Sequence, residues 1–325
     1  MSRSASATRL ALIPPLLALA WGLNWPAVKI ILSAVPPFTL RWVGLGSGAL
    51  LLAGVAAMRG ASLRPAPGAW PGILAGGVLT IAAFNVCTAF AQLSTSTSRA
   101  AVLTYTMPMI AAALAWLLLG ERPGRRGGFA LLLGAGGIGV LAGPVLQAPS
   151  LQWRGLALPL LAAGAWATGT IATKRWPPAG DRLVVTAWQL AIGAACAGIA
   201  AGVAGEALPT AWEPRVVAAL GYHIVIATAV AYVLWYRLLE SHSATVSSLT
   251  TLAVPVVGVI GAMALVGDRP GAADWIGFAL VLGGGPSSRC RSVGGADAAA
   301  FVQCFICAMT SFIGRASGVA WQLRS

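Results

Sequence analysis

Residues 108–124 read PMIAAALAWLLLGERPG, and residues 255–271 read PVVGVIGAMALVGDRPG. They align without a gap at an offset of 147: Pro, Ala, Leu, Gly, Arg, Pro and Gly coincide, and Glu121 faces Asp268. A second pair, WGLNWPAVK at 21–29 and WATGTIATK at 166–174, recurs at an offset of 145. Lys29 and Lys174 close these two stretches and are the chain's only lysines. After a two-residue slip, GFAL at 128–131 matches GFAL at 277–280. Self-similarity at a fixed period marks a chain built from copies of one unit. The repeating unit here is apolar and ends in a charged turn, so the chain reads as two equivalent halves.

The composition says where such halves can exist. Of 325 residues, 58% are hydrophobic and 9% charged, against roughly a quarter charged in a soluble domain. Disorder is excluded, because disordered chains are poor in apolar residues. A bilayer-crossing helix needs about 20 apolar residues. Windows of that kind fall at 10–32, 38–58, 70–92, 100–119, 127–146, 155–173, 184–203, 216–238 and 244–266, with a tenth starting near 273. The expectation is an all-α membrane protein of ten transmembrane helices: one five-helix repeat over 1–147, a second over 148–285, and an atypical tail over 286–325.

An odd number of spans per repeat inverts the second half relative to the first. Charge agrees. With the N-terminus inside, the inside segments hold Arg3, Arg9, Arg59, Arg64, Arg122, Arg125, Arg126, Lys174, Arg175, Arg182 and Arg237. The outside segments hold only Lys29, Arg41, Arg99, Arg154, Arg215 and Arg269. Cytoplasmic loops carry the excess of basic residues, which orients the N-terminus to the cytoplasm of a cell (inner) membrane. The net charge of +13 is therefore topogenic: its basic residues form no continuous patch, and nucleic acid is not an expected partner. A cleavable leader ending at Ala18-Leu19-Ala20 is the alternative for the N-terminus, but the apolar run continues past Ala20 into the repeated WGLNWPAVK. Inverted repeats are characteristic of secondary transporters, with the substrate site near the midplane between the repeats; a duplicated bundle without transport is the bland alternative.

WGLNWPAVK with the following Pro36-Pro37 and Arg41, then SRAAVLTYTMPMIAAALAWLLLGERP, resemble the EamA family of the drug/metabolite transporter superfamily. The resemblance runs from about residue 10 to 284. It implies ten helices, both termini in the cytoplasm, and export of small metabolites such as amino acids or drugs; from the inverted repeats, alternating access by rocking of the two halves around a central cavity is expected. The expected partners are then a small-molecule substrate and the lipid bilayer, with a homodimer left open; no cofactor and no metal is expected.

Several residues are candidates for the work. Trp21, Asn24 and Trp25 lie in a span that Pro26 should kink. An Asn in lipid needs a partner, either a neighbouring helix or substrate, and Asn85 poses the same choice. Tyr105 precedes Pro108, which frees a carbonyl one turn earlier, and Pro255 repeats it. Trp166 is the repeat partner of Trp21, and Tyr232 with Trp235 and Tyr236 could wall a pocket or anchor at the interface. Lys29, Lys174 and Arg41 are expected to snorkel to the interface, since a midplane charge costs roughly 3 kcal/mol, with a gate or substrate contact as the alternative. Glu121 and Asp268 are expected to pair with the adjacent arginines. His223 is the best-placed group for proton coupling, and otherwise a hydrogen-bonded packing residue. An intramembrane enzyme would need clustered His, Asp or Glu, which these spans lack, so no enzyme is expected.

Two motifs mislead. Gly134–Gly139 satisfies G-x-G-x-x-G inside an apolar span with no preceding strand. Close packing explains it, as for Gly44/Gly48, Gly72/Gly76 and Gly198/Gly202. Cys304-x-x-Cys307 has no second ligand pair. The tenth span stops after about a dozen apolar residues at Pro286; a frameshifted tail and a replacement helix over 296–313 are the two readings.

Overall fold

The computed structural model describes residues 13–119, 125–146, 153–234 and 253–283. Glu121, Trp235, Tyr236, the cysteine pair and the tail after 285 lie outside these residues. Among the described residues every regular element is a helix, and no strand occurs. In chain order they are α1 (Ile13–Gly22), α2 (Asn24–Ile31), α3 (Pro37–Met58), α4 (Trp70–Ser94), α5 (Thr97–Thr104), α6 (Met107–Leu119), α7 (Arg125–Leu146), α8 (Arg154–Arg175), α9 (Arg182–Ala204), α10 (Pro214–Leu234), α11 (Ala253–Val266) and α12 (Ala272–Gly283). Among the described residues, five stretches are long and apolar enough to cross a membrane: α3, α4, α8 to Thr173, α9 and α10.

The first span is two helices, as its proline predicts. Pro26 has no N–H to offer the Gly22 carbonyl, so α1 and α2 meet at Leu23. Backbone bonds from Leu23 to Leu19 (3.0 Å) and from Ala27 to Leu23 (3.2 Å) carry the chain across. Gly22 also lets α11 come close, since a Cβ there would stand 2.5 Å from Val257 Cβ. The fourth span breaks likewise at Tyr105–Thr106, ahead of Pro108, and the Thr106 hydroxyl donates to the Leu103 carbonyl at 2.7 Å. Pro255 sits in the first turn of α11.

The third span of each half shares a feature that apolar periodicity does not announce. In α4 residues Gly76–Ala83, and in α10 residues Tyr222–Val230, wind as π-helix. The two segments occupy repeat-equivalent positions. A π turn loosens the carbonyl ladder, and side chains take up the slack. Asn85 Nδ2 donates to the Ile81 carbonyl (2.9 Å), Thr228 Oγ1 to that of His223 (2.8 Å), and Trp21 Nε1 to that of Ala227 (3.1 Å).

The equivalent helices α3 and α9, and α7 and α12, pair antiparallel across the two halves. Glu206, just after α9, accepts from the Phe38 and Thr39 N–H groups at the start of α3 (3.4 and 2.7 Å). At the opposite end Trp188 Nε1 donates to the Leu63 carbonyl beyond α3 (2.9 Å). Between them Leu45, Leu52 and Leu190 fill one core. In the α7–α12 pair, Gly137 approaches Val281 and Gly277 approaches Leu141, each closer than a Cβ would tolerate. The G-x-G-x-x-G run is thus helix, and Gly134 and Gly137 within it are contact points. Gly44, Gly48, Gly76 and Gly198 likewise meet neighbouring helices, Gly72 meets the α8–α9 connection at Trp176 and Pro178, and Gly202 faces open space.

Candidate functional site

A buried polar seam runs between α2, α3, α4 and α10. Asn24 Oδ1 lies 2.7 Å from His223 Nδ1, joining residues from opposite halves of the chain. The imidazole turns its Nε2–Cδ2 edge to Gly44 of α3, where a Cβ would meet Nε2 at 2.7 Å, and Nε2 has no hydrogen-bond partner. One turn before Gly44, Arg41 donates from Nε to the Asn85 carbonyl (2.8 Å) and from Nη2 to Thr88 Oγ1 (3.2 Å). Lys29 Nζ donates to the Gln92 carbonyl, tying the end of α2 to that of α4.

An aromatic wall adjoins the seam. Trp21 and Tyr232 meet edge to face with centroids 6.1 Å apart. Tyr105 packs in one cluster with Trp25, Val254 and Trp21. Tyr222 donates its hydroxyl to the Leu19 and Ala20 carbonyls, so α10 is stitched to α1 along its length. Thr104 Oγ1, fully buried beside Tyr105, has no partner.

Of the candidates read from sequence, Trp21, Asn24, Tyr105, Tyr232, His223, Arg41 and Asn85 converge on this region. Trp166 does not join the Asn24 pair. It packs edge-on against Phe84 with centroids 4.8 Å apart, next to Asn85 but on the α8 side. Lys174 is the penultimate residue of α8, and its side chain lies outside the described residues.

Three expectations are corrected. Arg41 does not snorkel: it is 2% exposed, because it shares the inward face of α3 with Gly44, Leu45 and Gly48. The neighbouring Trp42, 46% exposed, takes the outward position instead. Lys29 also turns inward, since the α4 carbonyl at Gln92 is within its reach. Asp268 serves α5 rather than Arg269. It accepts from Ser98 N (2.7 Å) and Ser98 Oγ (2.9 Å), where its charge complements the helix start. Arg99 pairs with Asp274 at 2.5 Å. Thr88, Gln92 and Glu206 gave no signal in sequence, being ordinary polar residues whose partners lie far along the chain.

Comparison with known proteins places this architecture. The model of the EamA-like transporter family matches residues 11–143 and 153–285, one match per half. The uncharacterised transporter YvbV of Bacillus subtilis is 26% identical over 253 residues, covering 78% of this chain and 82% of that protein. The uncharacterised protein PA1977 of Pseudomonas aeruginosa is 30% identical over 242 residues, covering 73% and 78%. One solved crystal structure shares the fold with a TM-score of 0.60 at 21% identity, over 87% of this chain and 96% of its own. With both halves matched by one family model, and the polar seam drawn from both, this multi-pass helical membrane protein belongs to the EamA-like transporter family.

Proposed function

We propose that this transporter exports a small metabolite, amino-acid-like or drug-like, by alternating access. Ten spans cross the cytoplasmic membrane as two inverted repeats, with the N-terminus inside. Substrate binds against Trp21, Asn24, Asn85, Tyr105 and Tyr232, with Trp166 on the flank. The observation that carries this reading is the Asn24–His223 contact, which sets polar side chains from both repeats together among buried apolar helices. Polar groups are retained at such depth for helix association or for substrate. Here the unpartnered Nε2 of His223 and Oγ1 of Thr104 leave hydrogen-bonding capacity over. Arg41 and Lys29, bonded to neutral carbonyl and hydroxyl oxygens, keep the seam electropositive. His223 carries the proton if transport is proton-coupled through a side chain.

The test is a metabolite- and drug-toxicity screen of overproducing and deletion strains, followed by counterflow in reconstituted vesicles. The expected result is raised tolerance to at least one compound, lost in Asn24→Leu. Unchanged tolerance across the panel, with no counterflow of any tested compound, overturns the reading.

A further inference from the structure

We infer that Glu206, Asp268 and Asp274 act together as a latch that closes one end of the bundle between the two halves; the inference rests on the alternating-access reading above. The ends of α2 and α4 and the starts of α3, α5 and α12 gather at that end. There Phe38 meets Phe90 edge to face with centroids 5.0 Å apart, and Lys29 reaches the Gln92 carbonyl. The proposed orientation puts this end outside. All three carboxylates belong to the second half, and all three bind the first. Glu206 accepts from the Phe38 and Thr39 amides, and Asp268 from the Ser98 amide and hydroxyl. Asp274 accepts from Arg99 Nε at 2.8 Å and from Nη2 at 2.5 Å. The three are half-buried, where charge-assisted hydrogen bonds are strong and salt screens them less.

The repeat shows what is particular to this end. Helices α3 and α9 finish alike: Gly60 and Gly205 have φ of 76° and 66°, and the next N–H groups, of Ala61 and Glu206, bond back to the Ala56 and Ala201 carbonyls. Glu206 therefore stands where the first half has Ala61, at the offset of 145. The helix starts differ in the complementary sense. At the same offset Asp181 matches Pro36. Asp181 caps its own helix by accepting from the Leu183 and Val184 amides, whereas Pro36 supplies no side-chain cap to α3. So α9 caps itself, and α3 starts on a carboxylate supplied by the other half. The ion pair does not recur either, since the repeat positions of Arg99 and Asp274 hold Val246 and Arg125. Glu121, the repeat partner of Asp268, lies outside the described residues, so the asymmetry rests on Glu206 and the ion pair.

An exact inverted repeat would carry the same contacts at both ends. At the opposite end, among the described residues, neutral side chains make the bonds between halves: Trp188 Nε1 to the Leu63 carbonyl (2.9 Å) and Gln189 Nε2 to that of Gly72 (3.5 Å). Opening the outer end breaks three charge-assisted contacts, and opening the inner end breaks none of them. The resting population is thereby biased towards the outer end closed, the state in which an exporter takes up its cargo.

The test is hydrogen–deuterium exchange of the full chain in nanodiscs, read by mass spectrometry. The first N–H groups of a helix have no acceptor within it, so protection of the Phe38, Thr39 and Ser98 amides reports the carboxylates that bind them. Glu206→Gln and Asp268→Asn keep an oxygen acceptor in place and remove the charge. If the contacts form one latch, each loosens the other's site: Glu206→Gln should speed exchange at 97–101, and Asp268→Asn at 37–41, by roughly fivefold or more. Asp274→Asn should speed both. Asp181→Asn, which weakens a cap within one half, should speed only the start of α9. Acceleration confined to the helix start whose own acceptor was changed overturns the latch and makes the contacts separate caps. That failure is distinct from absent counterflow of every tested compound, which overturns the transport reading instead.

Discussion

Replacing Gly44 by alanine probes the fit of α3 against α10 directly. A methyl there would stand 2.7 Å from His223 Nε2 and 2.8 Å from its Cδ2, inside van der Waals contact. The ring has little freedom to yield: His223 is 3% exposed and its Nδ1 is held by Asn24. Overpacking of this kind costs about 1–3 kcal/mol, and tilting the ring away sacrifices the Asn24 bond, about 1 kcal/mol more. Gly54 lies on the same helix with nothing within 4 Å of a Cβ. Gly54→Ala should stabilise by roughly 0.5–1 kcal/mol through helix propensity alone. The same propensity gain applies at Gly44, so the difference between the two variants is the steric part, about 2–4 kcal/mol. The assay is the thermal midpoint of the detergent-solubilised protein, read by size exclusion after heating. A cycle with His223→Ala isolates the pair: with the ring gone, Gly44→Ala should behave as Gly54→Ala does. Equal midpoints for the two alanine variants, or a Gly44→Ala penalty unaltered in the His223→Ala background, would refute the reasoning.

The other expectations follow from the same geometry. Asp268→Ala leaves the Ser98 N–H at the start of α5 without its acceptor, with the Ser96 cap still in place, and should lower stability by about 1–2 kcal/mol, seen as a lower thermal midpoint; Ser98→Ala keeps the backbone half of that contact and should cost less. Arg41→Met removes a buried cation without leaving a buried carboxylate unpaired, so expression and midpoint should hold while counterflow falls at least tenfold. Parallel loss of folding and transport would assign Arg41 to the scaffold alone. His223→Gln should retain counterflow in vesicles but lose its acceleration by a pH gradient, and intact gradient-driven uptake would remove the proton role from His223.

Much of the fold could be read before any coordinates. The repeat at 108–124 and 255–271 located the halves, and the family matches over 11–143 and 153–285 follow the same division. Pro26 and Pro108 marked the breaks in the first and fourth spans, because a missing N–H is a local defect. The Gly44/Gly48 pair marked a close approach, since only small residues admit one, although its partners on α10 were not evident. The π segments of α4 and α10 left no such mark: GGVLTIAA and YHIVIATAV are as apolar as any α-helical stretch.

Arg41 and Lys29 show where reading along the chain stops. Their type and spacing are equally compatible with headgroups outside and carbonyls inside, and the inward choice depends on which face of α3 meets α4 and how near Gln92 comes to Lys29. Asn24 and His223 are 199 residues apart; each alone announces only that a partner is required. Partition into a membrane, the number of apolar runs and their duplication are local, roughly additive properties of side chains, so residue order suffices for them. The partner of a buried polar group is settled between helices distant in sequence. There the cost of leaving hydrogen bonds unmade in an apolar interior selects one packing, and only the folded bundle reveals which.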